Sequence, residues 1–174
     1  MDAFATLGLP ARAGLTEEEI TSAYFSRSKT ANPEEQAALN AARETLGRVD
    51  LRLKHLLEIA GPPEAAQWRT VQMPDDLMQL FSQFGNLRQK AETLLKKRDT
   101  ASTALGKAVL QPAVLALRAE AEGLAELMAE SIEARELMLK EVAESWQKLA
   151  ELQAHFAYLL KWQLQVRELL FRLV

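Results

Sequence analysis

The sequence predicts an all-α fold, in which a small helical domain precedes an elongated, coiled-coil-like three-helix bundle. Helix start and stop signals occur throughout the 174 residues, and apolar residues recur at spacings of three and four. No run alternates apolar and polar residues as a half-buried strand does. The positions of helix-ending glycine and proline residues predict a helical domain over residues 1–61, a linker over 62–73 and a bundle over 74–174.

Two helices are predicted before residue 31. A short opening helix carries Phe4 and Leu7 and closes at the Gly-Leu-Pro turn of residues 8–10. Thr16, followed three residues later by Glu19, forms a capping box, because the hydroxyl accepts from a free amide and the carboxylate reaches back. The second helix should run from this box to about residue 30.

Two more helices complete the predicted first domain. Asn32 as cap, with Pro33 at the first helical position and acids behind it, starts the third helix, which stops at Gly47. A fourth short helix follows over about residues 51–59, where leucines recur at helical spacing. Gly61 and two prolines end it, which places the linker there.

The bundle begins after Pro74. Its first helix should reach residues 96–98, a Lys-Lys-Arg run that suits the negative end of the helix dipole. Residues 101–111 predict either a short helix or a loop, and Pro112 should restart the chain into a second long helix. The third helix is predicted over residues 149–173, where apolar side chains keep the three-four spacing.

Composition excludes several classes of function. The net charge of −3 provides no dense cationic surface for nucleic acid, and the absence of cysteine excludes thiolate chemistry. His55 and His155 have no further ligand type at metal spacing, so no metal and no cofactor are expected. The sequence shows no nucleophile, base and orienting residue that would converge on one site, so we do not expect an enzyme. Without a leader-like start or a long apolar run, we expect a cytoplasmic chain that does not bind membranes.

Five segments carry a resemblance to one family. They are Asp2–Pro10, with its closing Gly-Leu-Pro turn; Leu39–Leu46, an apolar-Asn pair followed by Ala and Thr-Leu; Arg52 with Leu56-Leu57; Glu144-Ser145-Trp146; and Tyr158-Leu159-Leu160-Lys161. Together they resemble the HscB-type (DnaJ-like) J-domain co-chaperones of iron-sulfur cluster assembly. The resemblance spans roughly the whole chain and implies a J-domain-like region over residues 1–61.

The sequence departs from this family at its best-known motif. J-domains stimulate an Hsp70 chaperone through a His-Pro-Asp tripeptide, and the corresponding position here holds Asn32, Pro33 and Glu34. Neither the imidazole nor the short acid is present. Arg27 and Lys29 fall where the family offers basic residues to the chaperone. The same five residues are also explained as a helix cap and as charges that suit the dipole of the second helix.

A second set of residues falls where the family contacts its iron-sulfur scaffold protein. These residues are Leu77, Met78, Phe81 and Tyr158. Ser82 and Gly85 stand where the family has accompanying acids. Apolar residues at helical spacing are equally expected in the core. Met78 is the strongest contact candidate because it lies off the seam, and a flexible thioether suits recognition.

The function predicted from these features is a non-enzymatic, co-chaperone-like adaptor. It would bind a protein client, with an iron-sulfur scaffold protein as one candidate, and contact with Hsp70 would be weakened. The alternative is a structural module that self-associates as a homodimer. That alternative rests on apolar residues beside the seam of the last helix, namely Leu160, Trp162, Leu164, Leu169 and Phe171.

Overall fold

The computed structural model describes residues 1–67, 72–142 and 145–174. Within these ranges the chain forms seven α-helices and one short 3₁₀ helix, which confirms the all-α class. The helices are α1 (Ala3–Leu7), α2 (Glu17–Ser28), α3 (Pro33–Gly47), α4 (Val49–Ala60), the 3₁₀ helix (Pro63–Gln67), α5 (Asp75–Thr100), α6 (Ala104–Glu141) and α7 (Trp146–Arg172). Residues 68–71 of the predicted linker and Glu144 of the rear signature lie outside the described residues.

The chain divides into two compact units. The first joins Met1–Val71 to Ala134–Ala157, and the second joins Gln72–Glu133 to Tyr158–Val174. The sequence predicts that residues 134–157 belong to the bundle, whereas in the structure they cluster with the first unit. Helices α6 and α7 therefore each contribute to both units. Their apolar spacing continues through the point of division, so the sequence pattern does not reveal where it lies.

The first unit begins with two local devices that fix α1. The Asp2 carboxylate accepts hydrogen bonds from the amides of Phe4 and Ala5, at 2.9 and 3.2 Å. Gly8 ends the helix in the left-handed region with φ of 68°. Glycine is favoured there because of this backbone conformation, and a Cβ would in addition displace the flexible end of Arg27.

The predicted capping box of α2 is present. The Thr16 hydroxyl accepts from the Glu19 amide at 3.2 Å, and the Glu19 carboxylate accepts from the Thr16 amide at 2.8 Å. This backbone hydrogen bond, together with the nearby Arg12, lowers the pKa of Glu19. The start of α2 is therefore held by two reciprocal bonds.

A buried arginine ties α4 to the rest of the first unit. Arg52 is only 6% exposed. Its Nε donates to the Ala13 carbonyl at 3.0 Å and its Nη1 donates to the Leu46 carbonyl at 2.6 Å. Burial lowers the pKa of Arg52, and the charges of Glu136 and Glu17 oppose that shift. The guanidinium thus satisfies backbone acceptors that α4 and its neighbours leave unpaired.

The second unit is built on one core shared by α5, α6 and α7. Each helix contributes a stripe of apolar residues at three-four spacing. The α5 stripe includes Leu77 and Leu87, the α6 stripe includes Met128, and the α7 stripe includes Leu159 and Val166, all fully buried. This shared core bears out the sequence pattern for the residues of the second unit.

Helix α6 differs from the prediction. Pro112 does not restart the chain but lies inside one continuous helix that begins at Ala104. The Thr103 hydroxyl accepts from the Gly106 amide at 3.0 Å and holds the first turn. Proline removes the amide that would bond to the Ala108 carbonyl, yet both residues are exposed, so water can serve that carbonyl. The ambiguous segment 101–111 is therefore mostly helix.

The basic end of α5 has a role beyond its own helix. Arg98 Nη2 donates to the Arg172 carbonyl at 2.8 Å, near the C-terminus of α7. A cation at that end also suits the α7 dipole. Lys90 on α5 pairs with Glu120 on α6 at 2.8 Å, but both side chains are about half exposed, so this pair adds little stability.

We expect Arg52→Met to destabilise the protein by about 2 kcal/mol, because two buried carbonyls lose their donor. Urea unfolding measures the change. Lys54→Met is the matched control, since Lys54 lies on the same helix with a side chain 62% exposed. An equal, small effect of both substitutions would show that the buried bonds of Arg52 contribute nothing net.

Candidate functional site

The turn between α2 and α3 holds the predicted degenerate motif. Asn32 caps α3: its Oδ1 accepts from the amides of Glu34 and Glu35 at 3.0 and 2.9 Å. The Glu35 carboxylate accepts from the Asn32 amide at 2.9 Å, which completes a second capping box. Pro33 occupies the first helical turn, and Asn32, Pro33 and Glu34 are all exposed. The oxygen of Asn32 is thus engaged in holding the helix.

The two basic residues of this region differ in their surroundings. Arg27 Nη1 donates to the Thr6 carbonyl at 2.9 Å, and its guanidinium lies against Gly8. Lys29 stands at the exposed C-cap of α2. Arg27 therefore links α2 to the end of α1, and of the two only Lys29 points a cation to solvent without such a link.

An uncharged polar cluster joins α2 and α3, and the sequence analysis did not predict it. The Tyr24 hydroxyl donates to Asn40 Oδ1 at 2.7 Å, and Gln36 Nε2 donates to the Tyr24 oxygen at 2.9 Å. Arg43 lies over the Tyr24 ring, with 4.9 Å from its Cζ to the ring centroid. The signal was available as Gln36, Asn40 and Arg43 at helical spacing facing Tyr24.

A cavity of about 360 Å³ lies beside the same turn. Arg27 and Glu35 are the charged side chains in its lining, over a floor that includes Leu39. Both charges already bond within the fold, to Thr6 and Asn32 respectively. The two charged side chains of the lining are therefore engaged in contacts within the fold.

The second predicted set lies in the second unit and forms an aromatic patch, which we define as Met78, Phe81 and Tyr158. Phe81 and Tyr158 lie against the ring of Trp162, and Met78 lies one turn before Phe81 on α5. The three surface residues are 51%, 52% and 46% exposed, and Trp162 is 5% exposed. Phe81 lies 5.5 Å from Trp162 between ring centroids, and Tyr158, one turn before Trp162 on α7, stacks on its ring at 5.8 Å. The structure thus brings three of the four predicted residues onto one surface.

Leu77 is the exception. It is fully buried among the core residues of the second unit, so its place in the predicted client-binding patch has to be corrected. Leu77 and Met78 are adjacent on α5, and a helix turns by about 100° between neighbours. One of the pair therefore enters the core and the other faces solvent, which the sequence left open.

Trp162 is a residue whose role the sequence analysis misjudged. It was placed with the surplus apolar residues, whereas its indole is a core element that carries the patch. Leu169 is likewise buried at 7% exposure. The available signal was the i, i+4 spacing of Tyr158 and Trp162, which puts both rings on one side of α7.

The exposed surface of α5 around the patch is free of charge. Residues 77–87 contain no ionisable side chain, although Asp75 and Asp76 precede them and Arg88 follows. Gly85 lies in this stretch, exposed, one to two helical turns from Phe81 and Met78, and a Cβ there would meet nothing within 4 Å. A solvated helix surface usually carries charges, whereas the centres of protein interfaces are depleted of them.

Chemistry of other kinds finds no support in the described residues. Across the described ranges, no three or more His, Asp or Glu side chains are grouped to hold a metal ion. None of the described helices is both long and apolar enough to cross a membrane.

Comparison with known proteins gives no further guide. No protein-family model matches the chain, and a search of curated proteins finds no similar sequence.

Proposed function

We propose that this chain is a protein-binding adaptor, related to the co-chaperones of iron-sulfur cluster assembly, that holds a protein client on the aromatic patch. The observation that carries the proposal is the half exposure of Met78, Phe81 and Tyr158, two of which pack against the buried Trp162. Exposed aromatic and methionine side chains on an uncharged helix surface are typical of the centre of a protein interface.

The proposal includes the loss of chaperone stimulation. Asn32 has no ionisable ring, and its Oδ1 is bonded to two amides of α3. Glu34 carries its carboxylate one methylene further out than aspartate does. On the same helix pair, Arg27 is bonded within the fold and Tyr24 belongs to an uncharged cluster. These contacts support a turn that serves the helix cap and no longer serves a partner.

We expect no stimulation of an Hsp70 ATPase at micromolar protein. The physical reason is the absence of the imidazole and of the short acid from the turn. A steady-state ATPase assay measures the rate, with an authentic J-domain as the positive control.

The matched variant carries Asn32→His and Glu34→Asp together, which restores the tripeptide without moving Pro33. A several-fold rise with the unchanged protein would refute the proposed loss of stimulation. A rise with the double variant alone would support it directly.

We expect client capture from the native cytosol to depend on Phe81. Phe81→Asp introduces an unpaired charge at the centre of the patch and should reduce the captured client by at least tenfold. Leu164→Asp is the matched control, since Leu164 is also exposed on α7, at 57%, but is not a member of the patch. Quantitative mass spectrometry of both captures measures the difference, and equal losses would contradict the proposal.

The same proposal expects an iron-sulfur scaffold protein to bind weakly or not at all, because Ser82 and Gly85 replace the accompanying acids of the family. Calorimetry measures this. A tight complex that Met78→Ala abolishes would instead restore the full function of the family.

A self-associating module is the second candidate, and it rests on apolar residues outside the patch. Leu164, Phe171 and Val174 are 57%, 81% and 84% exposed on the last helix and at its end. Burial of Trp162 and Leu169 in the core removes two of the residues that first suggested it. We expect a monomer in sedimentation at micromolar concentration, and a dimer that Phe171→Asp dissolves would favour this candidate instead.

A further inference from the structure

Gly85 is unexplained by the packing of the protein itself. No atom lies within 4 Å of the position that its Cβ would take. Gly85 is exposed to solvent and lies between the ends of α5. Glycine in a helix interior is less stable than alanine, because it loses more backbone freedom on folding. Its backbone does not need a positive φ, since among the described glycines only Gly8 has one. What glycine provides here is a gap in the surface that another backbone can enter.

The gap lies on the same surface as the aromatic patch. Gly85 follows Phe81 by four residues and Met78 by seven, which are the spacings of one helix face. The exposed residues between them, Ser82 among them, are uncharged, and this neutral surface continues to Asn86. A partner that crosses at Gly85 would contact Met78 and Phe81 at the same time.

Charge at the edge of this surface indicates what the partner carries. Lys161 is exposed on α7, one turn beyond Tyr158, and has no carboxylate partner in the described part of the chain. Arg88 is the next charge along α5, and it pairs with Glu92. Asp75 and Asp76 lie at the start of α5, where the helix dipole offsets their charge. The cation of Lys161 therefore lies beside Tyr158, whereas the carboxylates of Asp75 and Asp76 precede Met78 at the start of α5.

We infer that the aromatic patch takes an amphipathic α-helix of a partner protein, which crosses α5 closely at Gly85 and directs an acidic side chain toward Lys161. A helix suits the gap because its backbone can approach to the shortest interaxial distance only where one side lacks a Cβ. Its apolar face would cover Met78, Phe81 and Tyr158. The inference rests on the proposed client-binding function and adds the structure and charge of the client.

The test uses the full chain and two stapled helical peptides of about 20 residues. Both peptides carry the same leucine face with alanine at its centre, and they differ only in having four glutamates or four lysines beside that face. Fluorescence polarisation measures their dissociation constants. We expect the glutamate peptide to bind at least tenfold more tightly than the lysine peptide, and Lys161→Glu to remove that preference.

Gly85→Ala is the decisive variant. We expect it to raise Tm by about 2 °C, since alanine favours the helix, and yet to weaken glutamate-peptide binding at least tenfold. Gly123→Ala is the matched control: Gly123 is also exposed inside a helix with nothing within 4 Å of its Cβ, beside Lys90 and Glu120. It should raise Tm similarly and change binding less than twofold.

Each other outcome overturns the inference. Binding that Phe81→Asp removes but Gly85→Ala leaves unchanged would exclude the close crossing while keeping the client-binding patch. Equal affinity for the two peptides would exclude the acidic partner. No binding of either peptide would exclude a helical client of this kind, while Phe81-dependent capture from cytosol would still decide the proposed function separately. Self-association that Gly85→Ala abolishes would make the occupant a second copy.

Discussion

The buried indole of Trp162 fixes the position of the aromatic patch, because the rings of Phe81 and Tyr158 both pack against it. It fills the core between α5 and α7, so Phe81 and Tyr158 can contact it but cannot replace it. Their rings are therefore held half in solvent by the packing beneath them. A dense core resists rearrangement, because collapse of a surface ring inward would require space that the core does not contain. The half exposure of the patch is therefore a consequence of the buried indole beneath it.

In the first unit, polar side chains satisfy backbone groups at the ends of helices. Asn32 and Glu35 satisfy amides at the start of α3, and Arg27 satisfies a carbonyl at the end of α1. Each of these groups completes a backbone hydrogen bond that folding would otherwise leave open. On the proposed relationship to co-chaperones, residues in positions that contact a chaperone in the family here stabilise their own helices.

Local signals were read correctly from the sequence, and long-range ones were not. The capping box at Thr16 and the cap at Asn32 depend on neighbours a few residues away, so sequence spacing is sufficient to predict them. The sequence predicts that a helix restarts at Pro112, and this prediction is wrong. A continuous helix is possible because the Ala108 carbonyl is exposed to water, and that exposure depends on tertiary structure. The assignment of 134–157 to the first unit, and the choice of Leu77 over Met78 for the core, depend on which partners each helix face meets. Hydrophobic spacing defines a face, but it does not identify what covers it.

Pro112 also has a consequence for how α6 moves. The turns before it lack one hydrogen bond of the helix ladder, and Leu105 and Val109 on those turns are 76% and 70% exposed. Because this segment buries little surface and lacks one hydrogen bond of the helix, its opening costs less free energy than unfolding of the core. Amide protons over residues 107–111 should therefore exchange with solvent by local fraying, whereas those beyond Val114 wait for opening of the whole unit. The proline separates a helix that looks continuous into a labile beginning and a protected remainder.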